Sequence, residues 1–292
     1  MGTVFGAVVA ISDPGPRIRR VVLDVPFVDD LGLPGVGDEA LCVWFPAPGA
    51  AAPPAMQCRD GVWQYYDPDT VPQGRNYTVR TAGPGRKQLT VDLVLHERGV
   101  ASDWARSVQI GGQVVLSTAR SWYRPDPNAD WQLLVADLAG LPAVARIVEG
   151  LPADARATVI VEVADERDLD YLPARDGIEV ISSVGTGNGH AASALTDLVR
   201  DFAQPQGRGY CWSATESGAS RDIRKYFRRE CGWVADQFDI VGYWRFDSEK
   251  WDAKFERVSE ELVAVYTQAL ADGKSDKIAS EEFDLALERA GL

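Results

Sequence analysis

Short hydrophobic runs separated by glycine and proline occupy residues 1–128 of the chain. The runs lie at residues 4–11, 21–25, 40–45, 89–96 and 113–116. Their length, alternation and β-branched content predict strands, and the turn residues between them predict short connections. Residues 102–107 instead have a helical pattern, with Ser102 or Asp103 as the expected N-cap. A succession of short strands predicts a β-barrel or a β-sandwich.

A different pattern begins after residues 125–130, where apolar strands alternate with helices. Strands are predicted at residues 131–136, 158–163, 178–183 and 209–214. Helices are predicted at residues 141–151, 195–202 and 219–230, the first of them with Pro142 in its opening turn. Alternation of this kind predicts a parallel sheet covered by helices.

The last part of the chain has a helical pattern of its own. Residues 248–273 place six apolar residues on one helical face, namely Trp251, Phe255, Val258, Leu262, Val265 and Leu270. We predict two helices in this tail, with the first four of these residues packed on the preceding α/β domain. A lid or a dimer contact is the alternative role. The expected domains are residues 1–128, 129–245 and 246–292.

The charge balance argues against several classes of partner. The chain has 30 lysine and arginine residues against 43 aspartate and glutamate residues, a formal net charge of -13 at pH 7. Proteins that bind nucleic acids or anionic membranes normally carry a basic surplus. No apolar run approaches the roughly 18 residues of a membrane-spanning helix, and the N-terminus lacks the basic region of a signal peptide. We expect a cytoplasmic protein with no nucleic-acid partner and no transmembrane segment.

The cysteine and histidine content leaves little for side-chain catalysis. The four cysteines lie far apart, at Cys42, Cys58, Cys211 and Cys231. Their spacing predicts buried, reduced thiols rather than disulfides or a zinc site. With two histidines and no G-x-S-x-G string, neither a metal centre nor a serine hydrolase is expected. If the protein is an enzyme, a bound cofactor is expected to supply the chemistry.

The most informative string spans residues 75–80 and contains Arg75, Tyr77, Thr78 and Arg80. A flavin needs an aromatic face against its isoalloxazine ring, hydrogen-bond donors at the ring edge, and cations for its pyrophosphate. This string supplies all three on an extended segment whose side chains alternate between two faces. The string therefore indicates a flavin site, and a solvated edge strand with cross-strand ion pairs is the alternative.

A second string, residues 96–105, joins a glycine turn to a helix start. Free backbone N–H groups at such a start suit a pyrophosphate. Taken by itself, His96 is expected to be a structural residue at a strand end, and Trp104 a core residue.

Two further strings have weaker implications. Gly185, Gly187 and Gly189 imitate a dinucleotide fingerprint, but the third glycine is misplaced and no acidic residue follows about 20 positions later. A flexible turn is the favoured interpretation.

The helix at 219–230 is basic, through Arg221, Arg224, Lys225, Arg228 and Arg229. It is expected to be a solvated face, with help in holding a dinucleotide phosphate as the alternative.

Taken in order, these strings resemble the siderophore-interacting protein family, FAD-dependent ferric-siderophore reductases of the ferredoxin–NADP reductase superfamily. The resemblance covers residues 1–245. It rests on the strings at 75–80 and 96–105 and on three more, Ala-Asp-Leu-Ala-Gly-Leu-Pro-Ala at 136–143, Trp-Ser-Ala-Thr-Glu at 212–216 and Gly-Tyr-Trp-Arg at 242–245.

The resemblance implies a Greek-key FAD-binding β-barrel followed by a parallel-sheet nicotinamide-binding domain, with a helical C-terminal tail. It implies that Arg75, Tyr77, Thr78 and Arg80 hold the flavin, with Tyr77 stacked on the ring. His96, Gly99, Ala101 and Ser102 are implied at the pyrophosphate. Asp137 would begin the nicotinamide domain, and Glu216 would lie near the nicotinamide side of the flavin.

The implied function is electron transfer from NADPH or NADH through FAD to a ferric siderophore, with release of Fe(II). Leu138 stands where the family usually has an acidic residue, and the loop after residues 178–183 lacks the family's tryptophan and arginine. The choice between NADPH and NADH therefore stays open. We hypothesise that Arg120 and Arg245 attract the anionic chelate, with surface ion pairing as their alternative role. A general flavin-dependent oxidoreductase and a non-catalytic siderophore-binding module are the alternative functions. A monomer or weak dimer is expected.

Overall fold

The computed structural model describes residues 3–59, 62–67, 72, 74–83, 85, 87–97, 99–246, 251 and 254–292. It contains a closed barrel, a parallel sheet and C-terminal helices. The predicted fold class is therefore confirmed. The predicted tail helix from residue 248 falls in part on residues 247–250, 252 and 253, which lie outside the described residues.

The barrel uses six of the first eight strands. The strands in this half are β1 (Thr3–Gly15), β2 (Ile18–Asp24), β3 (Ala40–Trp44), β4 (Met56–Arg59), β5 (Val62–Tyr65), β6 (Gly74–Ala82), β7 (Gln88–Val94) and β8 (Gln113–Arg120). The barrel order is β1-β2-β7-β6-β3-β8, and β4 pairs with β5 in a separate hairpin. Alternate apolar residues fill the interior, among them Leu41, Val79, Leu89 and Leu116.

One helix, α1 (Val100–Ser107), connects β7 to β8. Its N-cap is Gly99, so the expected N-cap at Ser102 or Asp103 is wrong. Gly99 has φ 128°, a conformation that side-chain-bearing residues rarely adopt, and this turn allows the helix to start earlier.

The second half forms a five-stranded parallel sheet. Its elements are β9 (Trp131–Ala136), α2 (Leu141–Gly150), β10 (Ala157–Val163), β11 (Ile178–Val184), α3 (Leu195–Asp201), β12 (Gly209–Glu216), α4 (Ser217–Lys225) and β13 (Phe238–Trp244). The strand order is β11-β10-β9-β12-β13. Every residue of β10 is buried, as expected for a strand covered on both faces. The predicted helix at 219–230 is α4 continued by a π-helical turn, Tyr226–Glu230.

A network of charged residues joins the barrel to the sheet. Arg80 of β6 forms an ion pair with Glu149 of α2, and Arg146 of the same helix pairs with buried Glu39 at 2.6 Å. Asp38, also buried, accepts a hydrogen bond of 3.0 Å from the indole of Trp212 on β12. Because Arg80, Glu39 and Asp38 are buried, their contacts are less screened by water than those of a surface pair, although Glu149 itself is exposed.

The described part of the tail includes helices α5 (Ser259–Ala271) and α6 (Asp276–Arg289). Of the four residues predicted to pack on the preceding domain, Leu262 is buried and Trp251, Phe255 and Val258 are half-buried. Trp251 stacks on Phe255 with ring centroids 4.7 Å apart, and Leu270 is exposed.

Acidic residues of α6 instead pair with the basic helix α4. Arg224 contacts Asp284 at 3.0 Å, Arg228 pairs with Glu281, and Arg229 contacts Glu288 at 3.0 Å. The expectation that this basic face is solvated is therefore wrong for Arg224 and Arg228, whereas Arg229 is exposed, as expected, although it is paired. The sequence pattern of α4 alone could not show it, because the partners lie more than 50 residues later.

Removal of the tail after Arg245 is expected to lower the thermal midpoint. Truncation would remove the carboxylates that pair with Arg224 and Arg228 together with the buried tail residues Leu262, Ala269 and Ala279, a loss on the order of 3 kcal/mol and of several degrees. The measurement is thermal unfolding followed by circular dichroism. As a milder test, Glu288→Ala should destabilise, whereas Glu282→Ala, which breaks the more exposed pair with Lys274, should have little effect. An unchanged midpoint after truncation would contradict packing of the tail.

The remaining sequence expectations have mixed outcomes. All four cysteines are free thiols. Cys211 is buried, but Cys58 is exposed on β4, so the prediction of burial is wrong there. None of the described helices has the length and apolar content needed to cross a membrane.

Candidate functional site

The predicted flavin string lies on β6, at the side of the barrel that faces the sheet. Tyr77 is partly buried, and its ring meets Phe45 edge-on with centroids 6.0 Å apart. Burial raises the pKa of the Tyr77 hydroxyl, which therefore stays protonated at neutral pH. Thr78 is buried and lies opposite Ala40 of β3. Arg75 is exposed and donates a hydrogen bond to the Gly74 carbonyl.

The Arg80 guanidinium is held by residues of the parallel-sheet half. It is 8% exposed, and its guanidinium donates to both carboxylate oxygens of Glu149, at 2.7 and 2.5 Å, and to the Tyr171 hydroxyl at 3.0 Å. The Tyr171 hydroxyl in turn donates to Asp92. These bonds make Arg80 part of the contact between barrel and sheet. Its role at a flavin remains a prediction.

The second predicted string forms the turn into α1. Gly99 has no side chain to cap the helix, and a Cβ placed there would meet nothing within 4 Å. Open space therefore lies in front of the first amides of α1, which have no partner inside the helix. Ala101 and Ser102 are buried, and the Ser102 hydroxyl accepts a hydrogen bond of 2.9 Å from the His96 amide.

His96 connects this turn to the sheet. Its ring lies 6.4 Å from that of Trp244, at the end of β13. Desolvation, followed by the charges of His190 and Arg106, lowers the pKa of His96, so the imidazole is neutral at pH 7. The turn at α1 and the carboxyl ends of the sheet strands thus meet directly.

A pocket of about 380 Å³, the strand-end pocket, opens where the parallel strands end. The residues that line it include Asp137, Glu162, His190, Glu216, Asp222 and Trp244, with residues 187–189 forming one wall. Open parallel sheets bind ligands at this edge, where adjacent connections diverge to opposite faces. Glu216 also accepts a 2.5 Å hydrogen bond from the Gly218 amide and so caps α4.

Asp137 holds this edge together. One oxygen accepts hydrogen bonds from the amides of Ala139 (2.9 Å) and Gly140 (3.4 Å), and the other from the Glu216 amide (2.8 Å) and the Trp244 indole (2.6 Å). Burial raises the pKa of this carboxyl to about 6, although all four donors act in the opposite direction. Its protonation therefore changes across mildly acidic pH.

Asp137→Asn is expected to destabilise the protein by about 1 to 3 kcal/mol, because its amide nitrogen would face N–H donors. The difference should depend on pH. A carboxyl whose pKa is raised on folding stabilises the native state at low pH, and this stabilisation disappears as pH rises through about 6. Between pH 5 and 7 the parent should lose about 1 kcal/mol that the variant does not lose. Urea unfolding of both proteins at the two pH values measures this, and a pH-independent difference would contradict it.

A larger cleft of about 840 Å³, the basic cleft, lies between β8, α4, β13 and the tail helices. It brings together Arg120 and Arg245, the two arginines singled out from the sequence, and adds Arg221 of α4. Arg120 and Arg221 form no ion pair with any residue that the structure describes. The Arg245 guanidinium lies 4.2 Å from the ring centroid of Trp251.

The sequence did not indicate that Glu162 and Trp244 line the strand-end pocket or that Arg221 lines the basic cleft. From the sequence, Glu162 was one residue of a buried strand, Arg221 one residue of a solvated helix, and Trp244 one residue of the string at 242–245. A charged residue inside the otherwise apolar run at 158–163 was the available signal, because a buried carboxylate needs a specific reason.

Two family models match the chain side by side. The model described as "Siderophore-interacting FAD-binding domain" matches residues 7–121, and the model described as "Siderophore-interacting protein" matches residues 129–247. Together they span the barrel and the parallel sheet.

Among curated proteins, an uncharacterized protein of Mycobacterium tuberculosis is 34% identical over 188 residues, covering 60% of this chain and 65% of the relative. The match therefore spans slightly less than two thirds of that relative's length. The ferric vibriobactin reductase ViuB of Vibrio cholerae is 29% identical over 212 residues, covering 70% of this chain and 75% of the relative.

Among solved structures, a siderophore utilization protein from T. fusca is 30% identical with a TM-score of 0.71, covering 84% of this chain and 94% of that chain. A ferredoxin NADP+ reductase from Neisseria gonorrhoeae, solved with FAD and NADP, has a TM-score of 0.59 at 11% identity, covering 84% and 100%. This second likeness concerns the fold alone.

Proposed function

Since this chain belongs to the siderophore-interacting protein family, we propose that it is an FAD-dependent reductase that takes electrons from NADH or NADPH and delivers them to siderophore-bound Fe(III). One observation carries the proposal. His96, beside the turn at α1, contacts Trp244 of the strand-end pocket. The predicted flavin segment and the predicted nicotinamide pocket therefore adjoin, as transfer between two bound cofactors requires.

The residues of the barrel fit FAD. A Cβ at Gly99 would meet nothing within 4 Å, and the first amides of α1 have no partner inside the helix, so a pyrophosphate could bind at this turn. Tyr77 offers an aromatic ring held by Phe45, and Arg75 offers a nearby cation. When bound, FAD would accept a hydride from the nicotinamide and release electrons singly to iron.

The chain's own groups would bind and orient rather than transfer protons. Asp137 fixes the turn after β9 and, through the Trp244 indole, the end of β13. His96 is neutral at pH 7 and adds no charge at this junction. Fe(III) is held tightly by hard oxygen ligands and Fe(II) much less so, so reduction alone would release the metal.

The basic cleft is the proposed entrance for the ferric siderophore. A chelate that carries negative charge is repelled at long range by a protein of net charge -13, so local cations must offset this field. Arg120, Arg221 and Arg245 line one cleft and would provide this charge. The acidic residues of the same lining all form ion pairs with other cations, namely Asp239, Asp276, Glu281, Asp284 and Glu288. Arg245 and Phe246 are consecutive residues that line the cleft and the strand-end pocket respectively, so the two cavities share one segment.

The proposal is tested by purifying the full chain, recording its absorption spectrum and assaying turnover with ferric chelates. A flavin spectrum together with NADH- or NADPH-driven Fe(II) release, trapped by a ferrous chelator, is the expected result. Flavin reduction with equal rates for siderophores and simple acceptors would favour a general oxidoreductase. Siderophore binding without turnover would favour a binding module, and absence of flavin even after FAD addition would contradict the assignment.

A double substitution tests the basic cleft. Arg120→Ala with Arg245→Ala should raise KM for an anionic ferric siderophore by roughly tenfold, since each lost charge contact contributes about 0.5 to 1 kcal/mol. Flavin content should stay unchanged, and the effect should shrink in high salt because exposed charges are screened. The control pair is Arg167→Ala with Arg200→Ala, which removes the same charge from surface arginines that neither line the cleft nor pair with a residue that lines it. Equal KM values for both pairs at low salt would place the iron site elsewhere.

A further inference from the structure

The strand-end pocket has an unusual charge for a site that is proposed to receive a nucleotide. Four acidic residues line it, namely Asp137, Glu162, Glu216 and Asp222. None of the described residues that line it is a lysine or an arginine. Lys225 reaches Asp222 at 3.9 Å from the neighbouring helix surface, which offsets part of that charge. The pocket therefore suits hydroxyl groups better than phosphate groups.

Glu162 is the most specific feature of this pocket. It lies near the carboxyl end of β10 and is 1% exposed. One carboxylate oxygen, Oε2, accepts a hydrogen bond of 2.6 Å from the Ala194 amide. The other, Oε1, accepts no hydrogen bond from any residue that the structure describes. Because Glu162 lines the pocket and Oε1 is not among the enclosed polar atoms that lack a partner, this oxygen is open to the pocket and available to a donor on a ligand.

The surrounding loop is shaped to leave Oε1 accessible. A Cβ at Gly187 would overlap this oxygen, so a side chain at this position would displace the carboxylate. Gly187 and its neighbour Asn188 both have φ above +50°, which turns the loop back over the end of β10. The side-chain amide of Asn188 donates a hydrogen bond of 3.1 Å to the backbone carbonyl of Glu162 and so stabilises the turn.

The position of Glu162 in the sheet matches that of an acidic residue with a known physical role. In doubly wound sheets, a carboxylate about 20 residues beyond the first strand-to-helix turn binds the ribose 2′-hydroxyl, and an arginine there accommodates a 2′-phosphate. Here the first such turn follows β9 and contains Asp137 and Gly140, and Glu162 is the next-to-last residue of the next strand, β10. The dinucleotide fingerprint requires an acidic residue, and none follows the glycines of the Gly185 loop at the usual spacing. Glu162, which precedes this loop in the chain, would take that role.

We propose that the strand-end pocket selects NADH over NADPH, with Glu162 Oε1 accepting a hydrogen bond from a ribose hydroxyl. This inference rests on the proposed function, in which a nicotinamide dinucleotide is the electron donor. A 2′-phosphate carries a charge near -2 at neutral pH and would meet carboxylates without a lysine or arginine in the lining. Like-charge contact of this kind is the usual means by which a site rejects one of two similar ligands.

Binding and reduction are measured separately on the full-length, FAD-loaded protein. Calorimetric titration with NAD+ and NADP+ should give a Kd for NAD+ that is lower by at least about tenfold. Anaerobic flavin reduction, followed by absorbance, should be faster with NADH by a similar factor. If NADP+ binds as tightly as NAD+, the inference fails and the proposed function stands. If neither nucleotide binds or reduces a flavin that dithionite reduces, the nicotinamide donor and this inference both fail.

Two variants test the role of the pocket residues. Glu162→Gln keeps an acceptor for the Ala194 amide and removes the charge, so it should narrow the ratio of the two Kd values. His190→Arg adds a cation at an exposed position of the loop and should improve NADP+ binding by about tenfold. Gln206→Arg, equally exposed but outside the pocket, is the matched control and should leave both Kd values unchanged. If the ratio of the Kd values for NADP+ and NAD+ is unchanged in both Glu162→Gln and His190→Arg, the proposal is overturned.

Discussion

Replacing Gly140 by alanine is expected to lower the free energy of unfolding by about 3 kcal/mol or more, among the largest effects of a single methyl group in this chain. Gly140 precedes α2, in the turn that follows β9. A Cβ there would overlap the backbone carbonyl oxygen of Ala214 on β12 and lie 2.9 Å from the Cβ of Ala136. Neither neighbour can move easily, because both belong to paired central strands.

The same turn carries the donors to Asp137, so a shift of the backbone would also disturb the strand-end pocket. Gly150→Ala is the matched control. Gly150 ends α2, and a Cβ there would meet nothing within 4 Å. This control should be neutral or stabilising by up to about 1 kcal/mol, since alanine favours helix more than glycine does. Urea unfolding measures both variants, and equal stabilities for them would contradict the packing argument.

Tyr77→Ala is expected to weaken FAD binding by roughly 10- to 100-fold, because stacking of an aromatic side chain on a planar base contributes about 1 to 3 kcal/mol. The ring is held in place by the edge-on contact with Phe45, so an intact ring presents a fixed surface. The measurement is the flavin content after gel filtration together with the Kd for FAD added to the apoprotein.

Tyr77→Phe provides the control, since it keeps the ring and removes only the hydroxyl. It should retain most of the FAD affinity. Loss of the Tyr77 ring also removes packing against the barrel core, so thermal unfolding of the three apoproteins separates this effect from binding. If the alanine variant binds FAD as tightly as the parent, Tyr77 does not stack on the flavin.

The order of structural elements could be predicted from the sequence because it depends on local patterns. The strand at 131–136 was placed at both of its observed ends, and the other predicted strands overlap observed ones, but no strand was predicted at β4, β5 or β13. The change from short strands to alternating strands and helices gave the fold class, which the structure confirms. Ordered strings of residues indicated the family for the same reason, since each string is contiguous in the chain.

The environment of individual side chains could not be predicted in this way. The Arg80 guanidinium looked like a flavin ligand, yet Glu149, 69 residues later, holds it. The sequence predicted that Arg224 and Arg228 are solvated, but carboxylates of α6 pack against both of them. The flavin, pyrophosphate and substrate roles of the other sequence-predicted residues remain predictions.

The sequence by itself thus determined most of the elements, their order and the family, because hydrophobic periodicity and turn residues act over a few neighbouring positions. Only the tertiary structure decided which charges are paired and which oxygen is left without a donor. Asp137 meets Trp244 across 107 residues, and Glu162 meets the Ala194 amide across 32. Such contacts form when parallel strands bring distant segments to one edge of a sheet. Solvent exposure is low there, so each hydrogen bond and each charge interaction is stronger than it would be in water.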